Sequence, residues 1–191
     1  MFDDPIIVKE PEVKQFAKIT EGPHAAICCG VYPLGVHMKK RDGKDKPVNQ
    51  VLICFQVDEL IEEEGDSKGD AKTFSEFYTS SLNESANLRK DLESWRGKKF
   101  TDEELKGFDL RDILGAPCLL NIIHNDKYVN KNSIMKLPKA MAPPVVFGIH
   151  QSTPEWITKI QEKSLGEIIT DDDNDNAGVS DDAEEKGIKE D

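Results

Sequence analysis

Residues His24–Val57 constrain the fold of this chain more than any other stretch. The run HAAICCGVYPLGVHM (His24–Met38) is mostly apolar and is broken by Gly30, Pro33 and Gly35. A helix tolerates that trio badly, whereas a long strand that bends at glycine uses it. The charged KKRDGKDK (Lys39–Lys46) follows, with the hairpin dipeptide Asp42-Gly43 at its centre. VNQVLICFQV (Val48–Val57) then has the β-branched and aromatic composition of a strand. The three segments together predict an antiparallel hairpin whose loop is the charged run.

Further elements read off in order. Glu59–Asp70 is acidic and contains glycine, so it is a loop. Lys72–Thr79 alternates Phe74, Glu76 and Tyr78 against Thr73, Ser75 and Phe77, as a third strand does. Ser81 and Glu84 have the spacing of a capping box, predicting a helix that carries Leu88, Leu92 and Trp95 and stops at Gly97. Thr101 and Glu104 repeat the box, with Phe100 and Leu105 as a hydrophobic staple, and Asp109 opens one more turn ending at Gly115. Ala116–His124 (APCLLNIIH) reads as a fourth strand, Asn125–Asn132 as a polar, basic turn region, and Ser133–Leu137 as the start of a fifth. Val145–Ile149 offers a short strand, and Pro154–Leu165 a helix with Trp156, Ile157 and Ile160.

Three strands, a helix and two strands make the order of the oligonucleotide-binding (OB) fold, a small partly open five-stranded barrel. An unrelated α+β sandwich has the same order. The expected class is therefore mainly β with an inserted helix, as a five-stranded OB-fold barrel with extra N- and C-terminal segments. Residues 1–22 read as an N-terminal arm, 23–169 as the domain with its C-terminal extension, and 170–191 as a disordered acidic tail. That tail holds ten acids against two bases, so it carries −8 of the chain's −12 and leaves −4 on residues 1–169. It has no aromatic residue, too little apolar surface to offset the entropy of ordering.

The composition also excludes classes. No run approaches the roughly 18 apolar residues of a membrane span, and MFDDPIIVKEPEVK lacks a signal-peptide pattern. Cys28, Cys29, Cys54 and Cys118 sit inside apolar stretches, as buried, reduced thiols of a reducing cytosol do. Phosphate loops, dinucleotide fingerprints and nucleophile elbows are all missing, so the chain reads as non-catalytic and without cofactor. Its acidic runs lack the ligand alternation of a calcium loop. Its histidines (His24, His37, His124, His150) and cysteines lack zinc spacing, and Cys28-Cys29 point to opposite faces of one strand. Cys118 and His124 share a strand face but lie about 20 Å apart, beyond the reach of a catalytic pair.

Binding has better support. Basic residues gather in two places: Lys39, Lys40, Arg41, Lys44 and Lys46 in the first hairpin, and Lys127, Lys131 and Lys136 around the last. In an OB barrel the loops between strands one and two and between four and five flank the ligand. Phe55, Phe74, Phe77, Tyr78 and Tyr128 offer stacking platforms for bases, some of them needed instead to fill the core, and Phe55 reads equally as platform or core. Tyr78 and Tyr128 lean to the surface because their hydroxyls tolerate water. The tail would then compete for the basic groove as a phosphate mimic or recruit basic partners. A reading from another class is a scaffolding module that holds a protein partner in the barrel, favoured by the −4 on the body.

Phe77–His124 carries Tyr78-Thr79, Ala86-Asn87-Leu88-Arg89, Trp95-Arg96-Gly97, Phe100-Thr101, Leu114-Gly115, Cys118 and His124, with Tyr32–His37 (YPLGVH) before and Leu137-Pro138 after. In this pattern, which spans most of residues 23–140, the chain resembles small bacteriophage single-stranded-DNA-binding proteins of the OB fold. The resemblance implies an accessory protein of DNA replication or recombination that coats exposed single strands in the host cell cytoplasm. It also implies an acidic C-terminal segment that contacts replication or recombination enzymes. Many bacterial members end that segment in a hydrophobic hook, whereas this chain ends Gly-Ile-Lys-Glu-Asp.

Overall fold

In the computed structural model, residues 18–41, 43–62, 66–125, 128–142, 144 and 153–164 are described. The acidic tail, most of the N-terminal arm, Lys127, His150 and the strand expected at Val145–Ile149 lie outside them. Strands β1 (Gly22–Arg41) and β2 (Lys44–Leu60) form the expected hairpin, but it is longer than the sequence suggested. The charged run is not a loop: Lys39 pairs with Lys46, Lys40 with Asp45 and Arg41 with Lys44. β1 bulges at Cys28/Gly30 and Pro33/Gly35, where bends were expected. The second bulge uses φ 81° at Gly35, a conformation side-chain-bearing residues rarely adopt.

β3 (Ala71–Thr79) pairs with β2, β4 (Pro117–Asn125) with β1, and β5 (Tyr128–Lys136) with β4, all antiparallel. The result is one open five-stranded sheet in the order β3-β2-β1-β4-β5. The polar turn expected over Asn125–Asn132 is mostly strand, since Tyr128, Val129, Asn130 and Lys131 pair with Asn125, His124, Ile123 and Ile122. Pairing to an apolar neighbour outweighs a polar composition on an edge strand.

β2 alternates strictly from Lys44 to Val57 and shifts register against β3 beyond Gln56. Its odd residues Val51, Ile53, Phe55 and Val57 face the inner core, which also takes side chains from the other four strands. Its even residues Leu52 and Cys54 face outward and pack with Cys29, Tyr32 and Leu34 of β1. Cys28 and Cys29 therefore do face opposite sides, and all four cysteines are free and buried. Burial pushes the thiols of Cys28 and Cys29 up to about 12 and raises those of Cys54 and Cys118 as well.

Helix α1 (Asn87–Arg96) buries Leu88, Leu92 and Trp95 against the core and ends at Gly97, whose φ of 68° satisfies the left-handed C-cap. It packs against β3 and β5, the two open edges. Ser94 Oγ donates to the carbonyl of Ile134 on β5 (2.6 Å), and the Trp95 indole N–H donates to the carbonyl of Pro117 (2.9 Å). The helix does not start from the Ser81/Glu84 box. Its N-cap is Ala86, while Ser81 Oγ accepts from the Asn83 amide and Asn83 Oδ1 from the Ser85 amide in the turn after β3.

The second box forms as expected at α2 (Asp102–Leu105): Glu104 N–H donates to Thr101 Oγ1 and Thr101 N–H to the Glu104 carboxylate. Asp109 caps a 3-10 turn over Leu110–Ile113. The Thr101→Ala variant should lose about 1 kcal/mol in urea denaturation, whereas Ser81→Ala should stay within about 0.5 kcal/mol of the parent. Helix α3 (Glu155–Gln161) lays Ile157 on the outer cluster of β1 and β2, and Gln161 Nε2 donates to the Pro33 carbonyl (2.6 Å). Among the described residues no helix is long and apolar enough to cross a membrane.

Candidate nucleic-acid interface

Residues directly opposite each other in an antiparallel ladder share a face, and faces alternate along each strand. The register therefore groups positions 39, 41, 44 and 46 on one face of the β1–β2 ribbon and positions 40 and 45 on the other. Because β2 is regular, positions 44 and 46 lie on the same side as Leu52 and Cys54, the outer side of the sheet. Like charges thus stand opposite each other at Lys39 and Lys46. Lys39, Lys40, Lys44 and Lys46 are exposed and have no ion pair among the described residues.

The same alternation sorts the aromatics. Phe77 is opposite Leu52, so it is on the outer side, and it is 46% exposed. Ser75, opposite Cys54, shares that side and meets the Cys54 sulfur at 3.2 Å. Tyr78, the next residue, is opposite Val51 and points inward. The surface expectation for Tyr78 is overturned: it is buried, and its hydroxyl donates to Asp91 Oδ2 of α1 (2.9 Å). Burial and the Asp91 carboxylate together push its hydroxyl pKa far up. Phe55 is fully buried, with its ring centroid 5.5 Å from that of Trp95, so of its two readings core is correct.

The second basic group is divided. Lys131 is opposite Ile122 and points inward. Its side chain is 9% exposed, its ammonium is 2.7 Å from Asp91 Oδ2, and it stands 5.8 Å from the centre of the Tyr78 ring. A cation held this way is structural and cannot reach a surface strand. Glu76 lies in the same field, its carboxyl raised by burial and by Asp91 while Lys131 and, more weakly, Lys39 act to lower it. Tyr128 is exposed (73%) at the start of β5. Lys136 is exposed at the far end of that strand, where it borders a cavity beside Arg96 rather than the β4–β5 turn.

Sequence reasoning placed Trp156 on the helix that covers the outer cluster but not its exposure, and it missed the Arg96 cavity. Neither has a signal in spacing. The described histidines are held by local acceptors, His24 by Asp58 and the Thr20 carbonyl, His37 by the Leu34 carbonyl, and His124 by the Ile19 carbonyl. No family model matches this chain, and no curated protein does either.

Proposed function

We propose that this protein binds and protects single-stranded DNA without catalysis and with little sequence preference, in DNA replication or recombination, on a partly open barrel of the OB class. The observation that carries the reading is the outer face shared by Phe77 and the cationic positions 39, 41, 44 and 46. Like charges directly opposite each other weaken a ladder, and a phosphodiester backbone lying across the ribbon relieves that repulsion. An aromatic on the same side gives a base a face to stack on.

Several features support the barrel. A long, twice-bulged β1 joins both halves of the sheet, and bulges sharpen bending. One core draws side chains from all five strands. Tyr78 of β3 and Lys131 of β5 meet over α1, so the two open edges approach each other. In OB folds strands two and three, with the first and last hairpin loops, bind the ligand. Phe77, the ribbon and Tyr128 belong to those elements. The acidic tail would contact partner proteins, in keeping with the phage resemblance.

Anisotropy of labelled oligo(dT), titrated with full-length protein at low salt, tests this reading. Saturable binding whose affinity falls steeply with salt is expected. The absence of binding at micromolar protein overturns it and favours the protein-scaffold reading. Phe77→Ala should weaken binding about tenfold, from stacking worth roughly 1–3 kcal/mol per base. Its thermal unfolding should change little, because the side chain is half exposed.

A further inference from the structure

Helix α3 covers the outer cluster, and its two flanks are chemically unlike. The side turned to the sheet carries Ile157, Ile160, Gln161 and Ser164, the i, i+3, i+4, i+7 spacing of one helix face. Gln161 Nε2 donates to the Pro33 carbonyl, and Ser164 Oγ accepts from the Val36 amide at 3.0 Å. From the Cys29 cluster to Pro33 and on to Val36, the helix runs in the direction of β1, toward the ribbon. Trp156 and Lys163 stand on one flank, and Thr158 and Glu162 on the other, all four exposed. Lys159 and Glu155 pair between the flanks at 2.7 Å.

Chirality decides which flank looks where. The Gly115 amide donates to the Cys28 carbonyl and the Cys28 amide to the Ala116 carbonyl, so the backbone groups of Cys28 point to β4 while its side chain points inward. For L-residues this fixes the hand of the sheet. Seen from outside along β1, β4 is on the left, and β2 and then β3 are on the right. A right-handed helix lying on that face and running the same way turns to the right the residue that precedes a downward-pointing one. Trp156 precedes Ile157, and Lys163 precedes Ser164. Both therefore look across β2 toward β3, where Phe77 is exposed on the same face, and Glu162 looks toward β4.

We propose that this flank of α3 is a second wall of the single-strand path, an assignment that rests on the DNA reading. Trp156 stacks on a base, facing Phe77 across the path, and Lys163 contacts a phosphate on the way to the ribbon. The indole is 47% exposed at the rim of an apolar cluster, so it keeps a free face for stacking. Lys163 has no ion pair among the described residues. Glu162, which would repel a phosphate, is turned to the far flank.

Trp95 is buried, so Trp156 is the exposed one of the chain's two tryptophans and reports on a ligand at this surface. Full-length protein at low salt is followed in parallel titrations, by anisotropy of labelled oligo(dT) and by tryptophan emission with the unlabelled oligonucleotide. Emission should be quenched in step with anisotropy, and the emission left in Trp156→Phe should not respond. Trp156→Ala should weaken binding about tenfold with little change in thermal unfolding, and Trp156→Phe should keep most of the affinity. Lys163→Gln should flatten the dependence of log affinity on log salt by about 0.7, whereas Glu162→Gln should leave that slope as in the parent. Binding without quenching, parental affinity in Trp156→Ala, or an unchanged slope in Lys163→Gln each overturns the role of α3 and leaves the DNA reading standing. No anisotropy change at all overturns both.

Discussion

Replacing Asp91 with alanine is expected to cost about 3 kcal/mol of stability, a large effect for a residue on a helix surface. Asp91 Oδ2 accepts from both Lys131 Nζ at 2.7 Å and Tyr78 Oη at 2.9 Å. Its removal strands an ammonium that is 9% exposed and a tyrosine hydroxyl that is buried. Breaking a buried pair typically costs about 3–5 kcal/mol, and the lower end applies because Asp91 remains 22% exposed. For a domain of this size the change amounts to roughly 10 °C in Tm. Glu76 modulates the loss. Its carboxyl is raised by burial, so in the parent protein the ionised form is disfavoured and stability falls as pH rises through its titration. In Asp91→Ala the repulsion from Asp91 is gone while Lys131 remains, so ionised Glu76 is disfavoured less than in the parent. The penalty should therefore shrink as pH rises through that titration. The triple variant Tyr78→Phe, Asp91→Leu, Lys131→Met removes every polar partner together and should recover most of the stability. Urea unfolding of the variants across pH measures all of this, and an Asp91→Ala loss below about 0.5 kcal/mol would show that the pair is an ordinary surface contact.

How much of this the sequence revealed follows from the range of each interaction. The hairpin, the bends at Gly30 and Gly35, the third and fourth strands, the Thr101 box and the helix at Pro154 are all local matters of propensity, turn chemistry and spacing. The start of β5 was hidden because Asn130, Lys131 and Asn132 look like a turn until an apolar β4 is there to pair with. The Ser81 box satisfied its template, yet Ser81 and Asn83 are used up in the turn that ends β3. At the candidate site, alternation alone separates Phe77 from Tyr78: adjacent strand residues cannot both face outward, and Val51 opposite Tyr78 decides which one turns in. Lys131 was unreadable from any window of sequence, since its partner Asp91 lies 40 residues away on a helix.

The position of α3 bears on how a strand reaches the outer face. Ile157 of α3 is fully buried on Leu52 and its neighbours, and Phe77 is directly opposite Leu52 on β3. On the proposed reading, the helix occupies the β1–β2 half of that face, and DNA is left the β3 half and the ribbon beyond. The contact length is thereby limited, and most of the affinity falls to the ribbon cations.

Reversing three of those cations should have the largest effect on DNA binding of any surface change. Lys39→Glu, Lys44→Glu and Lys46→Glu together reverse the three lysines of the outer ribbon positions. Each reversal replaces an attraction to phosphate by a repulsion, and at about 1–1.5 kcal/mol apiece in a well-hydrated setting the three remove about 4 kcal/mol, or roughly a thousandfold in affinity. The dependence of log affinity on log salt should flatten by about 2, since each lysine–phosphate contact with a single strand contributes roughly 0.7 to the slope. Stability should not fall with binding: Lys39 faces Lys46 in the parent and glutamate faces glutamate in the variant, so the like-charge pair is kept and only its sign changes. Lys40, on the opposite face and across from Asp45, is the internal control. Lys40→Glu should reduce affinity by well under tenfold, through the general field alone. Equal losses for Lys40→Glu and for Lys44→Glu would mean that the ribbon attracts DNA by net charge without a preferred face, and the assignment of the outer face would fall.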